Sequence, residues 1–148
     1  MPKPTELLEF QTMLMGRFSL IARKATDTSL DRSAYLLLSL LEADGPMSIG
    51  GLSEILGLDV STLNRQTAAL VRAGLADRIP DPDGGIARKF RLTPEGASRL
   101  NGERAQSIRH LDAIVADWTD EEITALADSL ARLNADIDRY RSSISPRP

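Results

Sequence analysis

The fold is decided by residues 56–78, LGLDVSTLNRQTAALVRAGLADR. After the glycine turn, Asp59 or Ser61 can cap a helix that runs to about Ala73, and Gly74 follows as a helix-ending residue. The preceding segment, SIGGLSEILGL, has apolar residues at helical spacing and predicts another short helix. Two short helices joined by a tight, glycine-containing turn are typical of a helix-turn-helix.

The segments that follow this helix pair predict a β-hairpin. LADRI and ARKFRLT both show the alternation of a short strand, and PDPDGG between them is rich in turn-forming residues. A helix-turn-helix followed by a hairpin is a winged helix-turn-helix. The predicted fold class is therefore mainly α with a small β-hairpin wing.

Two helices are predicted before this lobe. Apolar residues spaced by three and four indicate an amphipathic helix from about Thr5 to Lys24. Asp and Ser caps, an apolar run from Tyr35 to Leu41 and a Gly-Pro stop then indicate a buried second helix.

Two further helices are predicted after the hairpin. Thr93 caps a long helix that runs to about Asp117, and a capping box of Thr119 and Glu122 opens the last helix. In the last helix the apolar residues step by three and four, namely Ile123, Leu126, Leu130, Leu133, Ile137, Tyr140 and Ile144. Three heptads in this register favour a partner helix.

The terminal helices are the candidates for a dimer interface, because one helix-turn-helix makes too few contacts for tight, specific DNA binding. The alternative is packing within one chain, since heptad spacing also occurs in ordinary bundles. We predict residues 1–30 as the N-terminal helix of a dimerisation region, 31–92 as the winged lobe and 93–148 as the C-terminal helices completing that region. The predicted dimer residues are Leu7, Phe10, Leu14, Leu126, Leu130, Leu133, Ile137 and Tyr140.

Composition limits the other functions. With 148 residues, 42% of them hydrophobic and 26% charged, the chain suits one globular domain, with or without an oligomerisation element. It has no cysteine and one histidine, His110, which disfavours disulfides, metal sites and thiol redox sensing, and no cofactor is predicted. Because it contains neither a signal-peptide pattern nor a membrane-spanning run, we expect a cytoplasmic protein.

The charge distribution points to nucleic acid. The whole chain carries a net charge of −3. Residues 61–91, however, contain six basic residues and three aspartates, so this segment has a net charge of +3. The candidate DNA-binding residues are Ser61, Thr62, Asn64, Arg65, Gln66, Arg72, Arg88 and Lys89.

The start of the second helix of the pair offers side chains that suit base edges. Arg65 can bridge guanine O6 and N7, and Asn64 or Gln66 can bridge adenine N6 and N7. Thr62 suits a thymine edge or a phosphate, and Ser61 lies at the helix end that favours phosphate. The alternative is a solvated helix face on which Ser61 and Thr62 only cap.

Four basic residues outside this cluster are candidates for backbone contacts. Arg88 and Lys89 in the hairpin suit phosphates or the adjacent minor groove. Arg72 and Arg78 can instead pair with a nearby acid such as Asp77.

The order of helices, the join STLNRQTAALVRAGLADR to PDPDGGIARKFRLTPEG and the WTDEE opening of the last helix resemble the MarR family of transcription regulators. The resemblance implies a homodimer on a pseudo-palindromic double-stranded DNA operator, and a small lipophilic or phenolic effector that reduces DNA affinity. It favours a repressor.

The wing departs from the family's usual DxRA or DRRA pattern, because Ile86 stands where an arginine precedes the alanine. Either Arg88 or Lys89 replaces the missing arginine contact, or the recognition helix carries more of the affinity.

Two functions from other classes are alternatives. Catalysis would depend on His110, which has no nucleophile motif around it, so we predict no enzyme activity. A winged-helix module for protein contacts would keep the fold without binding specific DNA. Salt dependence distinguishes these readings, because DNA binding releases counterions.

Overall fold

The computed structural model describes residues 1–23 and 30–144 of the chain. Within them the chain forms helices and one hairpin, as predicted. The elements are α1 (Pro4–Arg23), α2 (Arg32–Asp44), α3 (Ile49–Leu56), α4 (Val60–Arg72), β1 (Ala76–Ile79), β2 (Lys89–Leu92), α5 (Pro94–Ile114) and α6 (Asp120–Ile144). Two compact units make up the chain, Met1–Ile108 and Arg109–Pro148.

The core of the first unit is built on leucines contributed by four helices. Leu37 and Leu38 of α2, Leu52 of α3, Leu63 of α4 and Leu100 of α5 are all almost completely buried. Leucine in each of these helices removes a large apolar side chain from water, and their shared burial fixes α4 against α2 and α3. The helix-turn-helix is therefore part of the main core.

Local caps define the turn between α3 and α4. The Ser48 hydroxyl accepts a hydrogen bond from the backbone N–H of Gly51 at 3.1 Å and starts α3. Gly57 ends α3 with a φ of 68°, a left-handed conformation that suits glycine. Of the two predicted caps for α4, the structure uses Asp59. The turn between the helices is thus short and closed by its own hydrogen bonds.

The wing consists of β1, β2 and the wing loop, residues 80–88. The strands are antiparallel, with Ala76 opposite Leu92 and Ile79 opposite Lys89. Phe90 also exchanges two backbone hydrogen bonds with Met47, of 2.8 and 3.1 Å, and its ring lies in the core. These contacts hold the hairpin to the lobe that carries α4.

A compact junction joins the wing to α5. The Thr93 hydroxyl donates to the carbonyl of Gly74 at 2.7 Å and accepts from the backbone N–H of Gly96 at 2.9 Å. Thr93 therefore caps α5, as predicted, and also fixes the start of α5 to the turn that follows α4.

Further along α5, two contacts connect it to the end of α2 and to the chain just before α2. Arg104 pairs with Glu42 at 2.8 Å, and this carboxylate raises the pKa of the guanidinium above its ordinary value. Glu103 accepts a hydrogen bond from the backbone N–H of Leu30 at 2.8 Å. These contacts hold the middle of α5 against the winged lobe.

Two predicted helix ends need comment. The predicted end of the first helix, at about Lys24, lies outside the described residues, within which α1 extends to Arg23. The prediction that α5 runs to Asp117 was wrong, since α5 ends at Ile114. Thr119 must leave the helical conformation to cap α6, so the chain turns before it, and Trp118 donates its backbone N–H to Val115 at 2.9 Å.

The predicted capping box of α6 is present. The Thr119 hydroxyl accepts from the backbone N–H of Glu122 at 3.2 Å, and the Glu122 carboxylate accepts from the backbone N–H of Thr119 at 3.0 Å. That hydrogen bond to the carboxylate lowers the pKa of Glu122. The helix itself has no buried residue among those described, although it carries the heptad stripe.

The dimer residues remain a prediction, and in the single chain most of them are exposed. On α1, Leu7 and Phe10 are exposed and Leu14 is half-buried. On α6 the exposed members are Leu126, Ile137 and Tyr140, and the half-buried ones are Leu130 and Leu133.

Candidate nucleic-acid interface

The N-terminus of α4 is organised by Asp59. Its carboxylate accepts the backbone N–H of Thr62 at 2.7 Å and the hydroxyl of Ser61 at 3.0 Å. Hydrogen bonds from the side chain and backbone of Thr62 and from Ser61 lower the pKa of Asp59, with a smaller electrostatic effect of Arg65. A phosphate that binds Ser61 must therefore compete with Asp59 for the hydroxyl hydrogen.

The side of α4 that faces away from the core is basic and polar. Leu63, Thr67 and Leu70 form the buried stripe. Since helical residues repeat every 3.6 positions, Ser61, Arg65 and Arg72 lie together on the opposite face, and all three are exposed.

The two amide side chains of α4 differ in their surroundings. Asn64 is exposed. Gln66 is half-buried, and its Oε1 atom is buried without a hydrogen-bond donor in the described part of the chain. A bidentate contact to adenine needs both the oxygen and the nitrogen of the amide, so the structure places Asn64 better than Gln66 for that role.

On the hairpin strands, the basic side chains already have neighbours. Arg91 forms an ion pair with Asp77 at 3.3 Å, directly across the sheet. Arg78 lies over the ring of Phe90, with the guanidinium carbon 5.6 Å from the ring centre. Asp77 thus pairs with Arg91 rather than with Arg72 or Arg78, the partners considered from the sequence.

The wing loop is organised by a second aspartate. The Asp81 carboxylate accepts the backbone N–H of Asp83 at 2.9 Å and lies 3.4 Å from the ammonium of Lys89. The hydrogen bond from Asp83, and then the charge of Lys89, lower the pKa of Asp81. Arg88 is exposed and precedes β2, although it was predicted within the strand.

Of the basic residues predicted to bind DNA, three are exposed and form no ion pair with any residue the structure describes, namely Arg65, Arg72 and Arg88. The fourth, Lys89, has only 24% of its side chain exposed and faces Asp81. In the sequence all four residues simply carry a positive charge. The structure shows which of them are exposed and which are paired with an acid.

One residue of this surface was missed in the sequence. Val60 is the first residue of α4 and is 51% exposed, next to Ser61 and Asp59. An apolar side chain at this place suits a thymine methyl group. The signal in the sequence was an apolar residue between a helix cap and a polar cluster, at a position outside the buried stripe of α4.

Comparisons with known proteins agree with this geometry. A model of the MarR family matches residues 30–84. The uncharacterized HTH-type transcriptional regulator YxaD of Bacillus subtilis is 32% identical over 133 residues, which cover 88% of this chain and 93% of that protein. The chain belongs to the MarR family. As a MarR family protein it is a DNA-binding transcription regulator and not an enzyme, as predicted.

Solved structures show the same fold. A MarR family protein from Bacillus stearothermophilus has a TM-score of 0.75 at 22% identity, covering 90% of this chain and 94% of that one. The apo form of MarR from E. coli has a TM-score of 0.71 at 18% identity, covering 90% and 98%. The winged helix-turn-helix predicted for this MarR family regulator is confirmed.

The membrane prediction can be compared with the helices of this MarR family regulator. Across the part of the chain that the structure describes, none of the helices combines the length and the apolar character needed to cross a bilayer.

Proposed function

We propose that the chain is a homodimeric, sequence-specific regulator that inserts α4 of each protomer into the major groove of a pseudo-palindromic operator. The observation that carries this proposal is the exposed face of α4, where Arg65 has no ion-pair partner among the described residues and Asn64 is free of the core. The buried leucine stripe on the other side holds this face in a fixed orientation.

Each side chain on this face has a defined task in the proposal. Arg65 contacts guanine through O6 and N7, and Asn64 contacts adenine through N6 and N7. Arg72, at the C-terminal end of α4, and Arg88, in the wing loop, contact phosphates on either side of the base contacts. Lys89 contributes less, because Asp81 already neutralises it.

The dimer is supported by apolar side chains that the single chain leaves in water. On α1, Phe10 is 50% exposed and Leu7 is 57% exposed, and on α6 Tyr140 is 65% exposed. A second copy of the chain offers the same stripes, so a two-fold interface removes both sets from water. Each protomer then binds one half-site, and both half-sites contribute to the binding free energy.

The proposal includes a repressor role and release from DNA by a small lipophilic or phenolic effector. A protein described as the multiple antibiotic resistance repressor, MarR, shares the fold with a TM-score of 0.74. Among the described residues, an open groove lies beside α5, near Leu75, Arg99 and Glu103. Its lining is largely polar and does not suit a lipophilic ligand. We assign no effector residues.

The test is fluorescence anisotropy of the protein on the DNA upstream of its own gene and on random DNA, across a salt series. We expect tighter binding to the upstream DNA and a loss of about 1 to 3 kcal/mol for Arg65→Ala on that DNA only. Arg17→Ala removes the same charge from α1, outside the winged lobe, and is the matched control.

Three results decide between the readings. Equal losses on both DNAs would make Arg65 a phosphate contact. Absence of binding by a folded dimer to both DNAs, and to any duplex selected from a random pool, would favour the protein-contact module. If a panel of small phenols leaves the anisotropy of the bound complex unchanged, the effector part of the proposal fails while DNA binding stands.

A further inference from the structure

Two consecutive residues of α5 are attached to opposite ends of α2. The backbone N–H of Leu30, just before α2, donates to the Glu103 carboxylate at 2.8 Å. The Arg104 guanidinium pairs with Glu42, in the last turn of α2, at 2.8 Å. Because α2 has 13 residues, the two attachment points are separated by most of a helix about 20 Å long. We call these two contacts the α5 clamp.

The two contacts of the α5 clamp differ in their exposure to water. Leu30 is buried, so its N–H has little access to water and gains a strong acceptor in the Glu103 carboxylate. Arg104 and Glu42, in contrast, have 37% and 38% of their side chains exposed. Salt weakens an ion pair at this exposure, so the pair of Arg104 with Glu42 is the salt-sensitive half of the clamp.

The α5 clamp fixes the direction of α5, which its other contacts do not. The hydrogen bonds of Thr93 hold the start of the helix at the turn after α4. Leu100 is completely buried, but an apolar contact has no directional preference and allows the helix to tilt. Attachments to both ends of α2 oppose a tilt in either direction. The start of α5 and the clamp are thus two separate points that together set its axis.

A small change in this axis produces a large displacement at the far end of the helix. With 21 residues α5 is about 30 Å long, so a pivot of about 10° at its start moves its end by about 5 Å. This is more than the step of about 3.4 Å between neighbouring base pairs. Along the chain, α5 leads into α6, which carries five of the predicted dimer residues. In a dimer held through α6, the separation of the two α4 helices therefore depends on the direction of α5.

From this arrangement we infer that Arg104 and Glu42 are positioning residues that set the half-site spacing accepted by the dimer. The inference rests on the proposed function. One additional base pair between the half-sites moves the second site by about 3.4 Å and turns it by about one tenth of a helical turn. The lobes must then tilt on α5 to follow the DNA, and the tilt breaks the ion pair of Arg104 with Glu42.

The experiment starts from a duplex that the wild-type protein selects from a randomised pool. Two further duplexes keep both half-sites and lengthen or shorten the spacer between them by one base pair. Anisotropy gives the spacing ratio, which is the affinity for the selected spacer divided by that for the altered one. It is measured for the wild type, for Glu42→Gln, for Arg104→Gln and for the double variant.

Arg109→Gln is the matched control. It removes the same charge from the same helix, at an exposed position that forms no ion pair with any residue the structure describes. Melting temperatures confirm that each variant is folded at the temperature of the assay. A role of the ion pair in stability alone would lower the affinity for all three duplexes equally and leave the spacing ratio unchanged.

We expect Glu42→Gln and Arg104→Gln each to lower the spacing ratio by about 2- to 5-fold per protomer, the scale of one exposed ion pair. The double variant should lower it no further, because both substitutions remove the same contact. Arg109→Gln should keep the wild-type ratio. Added salt should lower the ratio of the wild type and leave that of the double variant unchanged.

Three results overturn the inference while DNA binding stands. The first is a wild type that binds all three spacers equally, and the second is a spacing ratio that both single variants retain. The third is an equal loss of the ratio in Arg109→Gln, which would make it an effect of charge rather than of the clamp. If the wild type enriches no sequence from the pool, sequence-specific binding itself fails and the inference fails with it.

Discussion

Gly96→Ala tests the junction between the wing and α5. A Cβ atom on Gly96 would lie 2.9 Å from both the carbonyl carbon of Leu75 and the Cδ1 atom of Leu92, and closer still to the carbonyl oxygen of Leu75. The backbone of Leu75 lies between α4 and β1 and is held by hydrogen bonds. Its carbonyl oxygen accepts the N–H of Thr93 at 3.2 Å. This backbone cannot move away from the methyl group as a flexible side chain would.

The expected loss follows from two opposing effects. Adding a methyl group to a packed site costs about 1 to 3 kcal/mol, and a clash with backbone belongs at the upper end. Alanine is favoured over glycine in a helix by about 1 kcal/mol. The net loss in the free energy of unfolding is therefore about 2 kcal/mol, which lowers the melting temperature of a chain of this size by about 4 to 8 °C.

Gly102→Ala is the matched control, because it makes the same substitution in the same helix. A Cβ atom there meets no heavy atom within 4 Å, so only the helix preference acts and stability should rise by up to about 1 kcal/mol. Both variants are compared with the wild type by thermal and urea unfolding at equal protein concentration. A Gly96→Ala protein as stable as the wild type would refute the close approach.

Three further outcomes are expected. Arg88→Ala should weaken binding on all DNA sequences and flatten the salt dependence by about one counterion per protomer, measured by anisotropy. Leu130→Glu with Ile137→Glu should give monomers in light scattering, since it places like charges in an apolar seam. Because hydrogen bonds lower the pKa of Asp59, its stabilising effect is full above the unfolded-state value and is lost as the pH falls through the folded-state value. Urea titrations at about pH 5 and about pH 2 should therefore show a larger loss of stability for the wild type than for Asp59→Asn.

The parts of the fold that sequence could predict are those set by neighbouring residues. The cap at Thr93, the capping box of Thr119 and Glu122 and the left-handed glycine after α3 depend on residues within a few positions. Local hydrogen bonds leave a local signature in the sequence. The order of helices and hairpin followed from these signals and from apolar spacing.

The parts that could not be predicted depend on contacts between distant positions. The ion pair of Arg104 with Glu42 joins residues 62 positions apart, and no pattern in α5 indicates it. The need for glycine at 96 comes from the backbone at residue 75. Likewise, Gln66 and Asn64 look equivalent in the sequence, but in the folded chain Gln66 is half-buried and Asn64 is exposed.

The distribution of charge argues that specificity in this regulator comes from shape and hydrogen bonding more than from electrostatic attraction. The chain carries a net charge of −3, and half of the six basic residues between 61 and 91 are neutralised or stacked by neighbours. If Arg65 reads a base, Arg72 and Arg88 are the exposed cations without an ion pair that remain for phosphates among the described residues of α4 and the hairpin. On the proposed function we therefore expect low nonspecific affinity, and a ratio between operator and random DNA that depends on the base contacts of α4.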